Sequence, residues 1–278
     1  MDSDYLDSDR IKRFYIHGFK EKQVHRRWSR LWNKHYRIRL LDRKFIKLHS
    51  QRRRLDFNTL RKLSVKYTPH HLYMSVLNYL MPERVGEKHK ANRAYPIGGE
   101  YVVDVDLHLF WRPHRHYVGL DGICTRCLSI SKDATLRIID KISENYSDIH
   151  IVFSGKKGFH IHVLDFDVRD WTYYDESNPI KSHEVARYVY TKHIKGATRG
   201  FDNSHFKLSC DPMRMITFPE SLNARTGLIC TYQGAYSDFT RKPVIEILKE
   251  SGALRYFHDK DFQSLNHSHP EPLLRIRR

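Results

Sequence analysis

From residue 101 the chain runs in short apolar stretches of strand length: YVVDVDLHLF, then IHIVFSGKKGFHIHVL between Ile149 and Leu164, then MRMITF from Met213. Two of them alternate with period two, as strands with one buried face do. Between the first two, SKDATLRIIDKISENY has apolar residues at 136, 138, 139 and 142, which predicts an amphipathic helix with Asp133 near its start. The middle of the chain therefore reads as an α/β unit. Upstream, between residues 11 and 66, Trp28, Leu31 and Trp32 recur at helical spacing among Arg and Lys, predicting one or two amphipathic helices and then irregular chain. That aromatic stripe reads as core rather than as a base-stacking platform. A further helix is expected over HEVARYVYTKHI, residues 183–194, and the chain after residue 258 is polar.

Charge narrows the partner. The 278 residues carry 49 Lys plus Arg against 32 Asp plus Glu, a formal net charge of +17. Solubility needs a net charge of only ~2–8, so an acidic polymer is the natural partner. The 40% hydrophobic content argues against wholesale disorder. There is no apolar run of about 18 residues, and MDSDYLDSDR at the start is acidic and polar, so neither a membrane span nor a secretory signal is expected. Cysteines at 124, 127, 210 and 230 are too few for a disulfide framework, and the C-x-x-C pair reads as metal binding in a reducing compartment.

Three segments carry chemistry. Asp104 and Asp106 lie in Val-Val-Asp-Val-Asp, where strand alternation sends both carboxylates to one face. Like charges about 7 Å apart are unfavourable without a cation between them, and such pairs commonly hold Mg²⁺ in nucleotidyl transfer. The bland alternative is a solvated polar face. Next, Ser154-Gly155-Lys156-Lys157-Gly158-Phe159-His160 follows an apolar strand; its glycines permit a tight turn, and Ser154, the lysines and His160 supply donors suited to a triphosphate. This is not a Walker loop, because the G-x-x-x-x-G-K-[ST] spacing is absent. Finally, His114-x-His116-x7-Cys124-x2-Cys127 offers four ligands that suit one tetrahedral, structural Zn²⁺, with His108 as a substitute for either histidine.

In their order as well as their content these segments resemble the catalytic small subunit of archaeal and eukaryotic DNA primase, in the archaeo-eukaryotic primase superfamily. The resemblance runs from His71, through the aspartate strand, the Cys/His cluster, LRIID and SGKKGFHIHV, to Arg214-x4-Pro219-x-Ser221-Leu222-x2-Arg225-Thr226-Gly227, ending near Leu228. It implies that Asp104 and Asp106 hold two divalent metals, Mg²⁺ or Mn²⁺, and that Ser154, Lys157 and His160 contact the incoming nucleoside triphosphate, with Arg214 and Arg225 near it. It further implies that His114, His116, Cys124 and Cys127 form a zinc knuckle, although the family more often has cysteine first.

The sequence departs from the family in several places. Lys156 and Lys157 stand where the family usually has Arg-Arg or His-Arg, Asn223 where it has His, and Thr217 where it has a basic residue. Asn223 can still donate a hydrogen bond but carries no charge, and lysine lacks arginine's bidentate fork. The family's third carboxylate falls at His205 here. Asp202 fits if the preceding hairpin is three residues longer; Asp211 fits if the strand is rearranged, although Asp211-Pro212 otherwise reads as a turn opener. Asp202 is preferred. Only about forty residues separate the His160 hairpin from this acid, where larger relatives insert a helical domain, so a compact version is expected.

The expected fold is α/β (α+β), a primase-type core of mixed sheets flanked by helices with a zinc knuckle. Its expected parts are a basic helical segment at 1–70, a catalytic domain at 71–250 with the knuckle at 114–127, and a polar tail at 251–278. The expected function is template-dependent synthesis of primers on a DNA template from nucleoside triphosphates, with a large primase subunit as partner and no membrane. Cytoplasmic, nucleoid-associated placement would follow for an archaeal chain and nuclear placement for a eukaryotic one. The alternatives are a primer-extending repair, plasmid or virus polymerase of the same superfamily, and a non-catalytic zinc-stabilised DNA-binding module.

Overall fold

Alternating strands bury one face each, and here the buried faces form a five-stranded antiparallel sheet. The computed structural model describes residues 6–19, 33–42, 44–48, 55–85, 94, 96–107, 125–166, 187–188, 191–192, 195, 206–209 and 214–252. In the sheet β12 (Tyr232–Ala235), β6 (Ile149–Phe153), β7 (Gly158–Val163), β5 (Tyr101–Leu107) and β8 (Phe206–Ser209) lie side by side in that order. One face carries Tyr101, Val103, Val105, Ile151, Phe153, Phe159, Ile161 and Val163. Against it pack α3 (Thr125–Ile142) through Leu128, Ala134, Ile138, Ile139 and Ile142, α4 (Tyr236–Arg241) through Phe239, and α5 (Val244–Ser251) through Ile247 and Leu248.

A second antiparallel sheet comes mostly from the first third of the chain. It orders β2 (Phe45–Lys47), β1 (Lys34–Arg39), β3 (His71–Tyr79) and β4 (Pro96–Gly99), and β9 (Met215–Thr217) pairs with the first half of β3. Tyr36, Ile38, Leu72, Met74 and Val76 share a core with α1 (Ser8–His17) and α2 (Phe57–Tyr67). Both helices are N-capped by aspartate: Asp7 accepts from the Arg10 N–H at 2.8 Å and Asp56 from the Thr59 N–H at 2.6 Å. Val102 and Val152, from the far face of the first sheet, join this second core, so the sheets share their packing. A hairpin of β10 (Leu222–Asn223) and β11 (Leu228–Ile229) completes the arrangement.

Two expectations change. Residues 34–39 and 45–47, expected as irregular chain after helices, are strands, so the segment before residue 70 is only partly helical. His35-Tyr36-Arg37-Ile38-Arg39 alternates, burying Tyr36 and Ile38 on one face. The helix expected from residue 131 begins at Thr125, which leaves Asp133 exposed in its middle rather than at its cap. Its apolar stripe extends upstream through Leu128, which is buried against the sheet. The helix expected over 183–194 lies mostly outside the described residues. No helix among them is long and apolar enough to cross a membrane.

Candidate metal and triphosphate site

Strand parity puts Glu100, Val102, Asp104 and Asp106 on one row, on the face opposite α3, α4 and α5. On the neighbouring β7 the same face bears Gly158, His160 and His162, in register with Asp106, Asp104 and Val102. His160 Nε2 lies 3.7 Å from Asp104 Oδ1, and Lys157 Nζ lies 3.9 Å from Asp106 Oδ2. Arg214, set just before β9 and held by its carbonyl to the Val76 N–H at 3.2 Å, forms an ion pair with Asp104. Residues from both sheets thus converge on the aspartate pair.

Burial first, and then the charge of Asp104, pushes the Asp106 carboxyl above its ordinary range. Two hard oxygen donors that repel each other in a half-buried site fit a divalent cation such as Mg²⁺ or Mn²⁺. His160 is held neutral: burial, reinforced by His162, lowers its pKa to about 3. Its Nδ1 and the Nη1 of Arg214 are shielded from solvent and have no hydrogen-bond partner among the described residues.

The hairpin tip between β6 and β7 is built tightly. Ser154 N–H donates to the Gly158 carbonyl at 3.0 Å, and Gly158 N–H donates to Ser154 Oγ at 3.3 Å. Because Ser154 Oγ accepts here, its O–H remains a donor. Gly155 has φ +74°, in the left-handed region. The 224–227 turn clamps this tip: Thr226 Oγ1 donates to the Gly155 carbonyl at 2.5 Å and accepts from the Leu228 N–H at 3.3 Å. Asn223 is buried, with Oδ1 accepting from the Arg225 N–H at 3.1 Å, so its amide oxygen shapes the turn that presents Arg225.

The two lysines meet different surroundings. Lys157 approaches Asp106, whereas Lys156 is lowered below its ordinary pKa by burial and then by Arg225 and Lys157. Asp202 and Asp211, the alternatives for a third carboxylate, lie outside the described residues, as do His114, His116 and Cys124. Cys127 sits half-buried in the first turn of α3, packed against the sheet core. Among the described residues no group of three or more His, Cys, Asp or Glu is placed to hold a metal.

Glu100 is a site neighbour that sequence reasoning missed. It is buried, with Oε1 3.1 Å from Lys34 Nζ of β1 and Oε2 2.8 Å from His162 Nδ1. Burial alone would raise its pKa, but Lys34 and His162 outweigh burial and lower it to about 2. The available signal was parity, since Glu100 continues the row of Asp104 and Asp106.

The profile of the DNA primase small subunit family matches residues 113–242. The DNA primase small subunit of Pyrobaculum arsenaticum is 31% identical over 174 residues, covering 60% of this chain and 49% of that protein. That of Pyrobaculum calidifontis is 28% identical over 242 residues, covering 75% of each. That of Methanocaldococcus jannaschii is 30% identical over 128 residues, covering 42% of this chain and 35% of the relative. The match thus spans about half the length of the first of these relatives and three quarters of the second. Among solved structures, the polymerase domain of Mycobacterium tuberculosis Ligase D in complex with DNA has a TM-score of 0.51 at 12% identity, covering 89% of both chains, a likeness of fold.

Sheets, helices and hairpin therefore make up a mixed α/β fold like that of this polymerase domain. Over residues 113–242 the chain is similar to the DNA primase small subunit family, and the relatives named above are DNA primase small subunits.

Proposed function

We propose that the protein is a primase catalytic subunit, which joins nucleoside triphosphates on a DNA template to make primers for replication. The observation that carries this reading is the same-face pair Asp104 and Asp106, set against Lys157, His160 and Arg214 at the mouth of a tight basic hairpin. Asp104 and Asp106 would hold two Mg²⁺ or Mn²⁺ ions, which supply charge neutralisation and activation of the attacking 3′-hydroxyl when bound. Lys157, Arg214, Ser154 Oγ and the neutral His160 then orient the triphosphate, with Arg214 exchanging its carboxylate partner for phosphate oxygens. Catalysis by these side chains is positioning and charge compensation, not covalent chemistry.

Asp202 is the preferred third metal ligand and Asp211 its competitor; alanine at each separates them, since only the ligand's loss should abolish incorporation. A structural Zn²⁺ on His114, His116, Cys124 and Cys127 suits the place of Cys127 at the start of α3, where a knuckle would anchor to the core. Elemental analysis should find about one zinc per chain, falling in Cys127→Ser. A large primase subunit is the proposed protein partner.

The decisive assay is template-dependent incorporation of labelled nucleotides by the purified protein, beside Asp104→Ala and Asp106→Ala. Activity surviving both substitutions would sink the assignment. Omitting any primer separates initiation from extension.

A further inference from the structure

We infer that the phosphate site continues onto the second sheet, where Arg39 and His71, facing Lys156 and Arg225, receive the terminal phosphate of the incoming nucleoside triphosphate. This rests on the nucleotide-polymerising reading above and adds residues from β1 and β3 to it.

Backbone hydrogen bonds bring the groups together. Arg39 and His71 are cross-strand partners, so their side chains share one face. His70 N–H donates to the Arg39 carbonyl at 2.7 Å, and Ala224 N–H donates to the His70 carbonyl at 3.2 Å, which fixes the turn bearing Arg225 beside them. Through Thr226 the same turn grips Gly155, the residue before Lys156. Four segments distant in sequence thus meet around one spot.

Lys156 feels the positive charges of Arg225 and Arg39, offset in part by Asp106, while Arg39 also lies over the Phe45 ring at 5.8 Å. His71 feels Lys156, Arg39 and Arg225 as well as His70, and burial together with these charges holds its pKa well below the ordinary value. Arg39 Nε and His71 Nδ1 are shielded from solvent without a hydrogen-bond partner among the described residues. Converging positive charges with shielded donors call for an anion. The pull of Asp106 on Lys156 ties this cluster electrostatically to the aspartate pair. With the reacting phosphate at the metals, the rest of a triphosphate has this positive path to follow. A strand of DNA would instead run its phosphates over exposed surface.

Calorimetric binding of a non-hydrolysable nucleoside triphosphate, and of the matching diphosphate, to the full chain with Mg²⁺ tests the assignment. Arg39→Gln should weaken triphosphate binding by about tenfold and diphosphate binding far less. His71→Asn should act in the same direction, and Arg39→Lys should fall between, with melting temperatures checked against wild type. Equal losses for both nucleotides, or no loss, overturn the inference. So does a variant that keeps nucleotide affinity but shows a salt slope of DNA binding reduced by about one, which would assign the pocket to a DNA phosphate. Failure of the wild type to bind triphosphate overturns the polymerase reading itself; wild-type binding with an unaffected Arg39→Gln overturns only this extension.

Discussion

Gly158 lies where β7 pairs with the aspartate strand β5, and alanine there is a direct probe of how the aspartate pair is positioned. A Cβ at this residue would lie 1.9 Å from the Val105 carbonyl oxygen, 2.9 Å from its carbon and 3.0 Å from Asp106 Oδ1. Restoring ordinary contact requires the strands to part locally by about 1.5 Å, which breaks ladder hydrogen bonds whose limit is ~3.2 Å. The obstacle is backbone in the centre of the sheet, so no side chain can swing aside. Overpacking of this kind destabilises by about 1–3 kcal/mol. Because Asp106 is the register partner of Gly158, the displacement falls on a proposed metal ligand, and a misplacement of about 1 Å can reduce kcat about 100-fold. Chemical denaturation would give the stability change, and single-nucleotide incorporation at saturating divalent metal would give kcat. A Gly158→Ala protein that melts like wild type and incorporates nucleotides at the wild-type rate would refute the claim that this close approach sets the site.

The remaining predictions concern charge and clamping. Asp106→Asn should abolish incorporation yet melt higher than wild type in chelator, because it removes a charge that burial and Asp104 oppose; added Mg²⁺ should stabilise wild type more than the variant. Glu100 is depressed from 4.5 to about 2 in the fold, so its contribution is complete above the unfolded value and is lost as pH falls from there through the folded one. That contribution is on the order of 3 kcal/mol, and urea midpoints should drop across this acidic window in wild type but stay flatter there in Glu100→Gln, which is itself destabilised at neutral pH. Thr226→Val removes the clamp on Gly155 and should lower stability by about 1–2 kcal/mol while raising KM for nucleotide more than it lowers kcat; an unchanged KM would mean that the tip does not need the clamp.

What could be read from the sequence was what depends on neighbours along the chain. Asp104 and Asp106 share a face because period-two alternation leaves no other arrangement for a strand, and the hairpin between Phe153 and Gly158 follows from its glycines. The strands at Lys34–Arg39 and Phe45–Lys47 were masked by the helical spacing of Trp28, Leu31 and Trp32 just upstream and by the density of Arg and Lys. The first of them is paired with β3, more than thirty residues later, and the second only with the first, which no local pattern announces. Glu100 was passed over for the same reason, since its partner Lys34 is 66 positions away. Arg39 and His71 look like ordinary surface cations until their strands are paired. Lys156 and Lys157, adjacent and alike on paper, part company only in the folded hairpin.

The placement of Arg214 has a consequence for engineering. Its backbone is hydrogen-bonded to β3 of one sheet, while its guanidinium meets Asp104 of the other. The proposed machinery is therefore not a cassette that could be lifted out with the aspartate strand and its hairpin and grafted onto another scaffold. Splitting the chain into fragments at the boundary between the sheets should yield pieces that are inert separately and regain activity only when they reassemble, so complementation between such halves would report directly on how the two sheets dock.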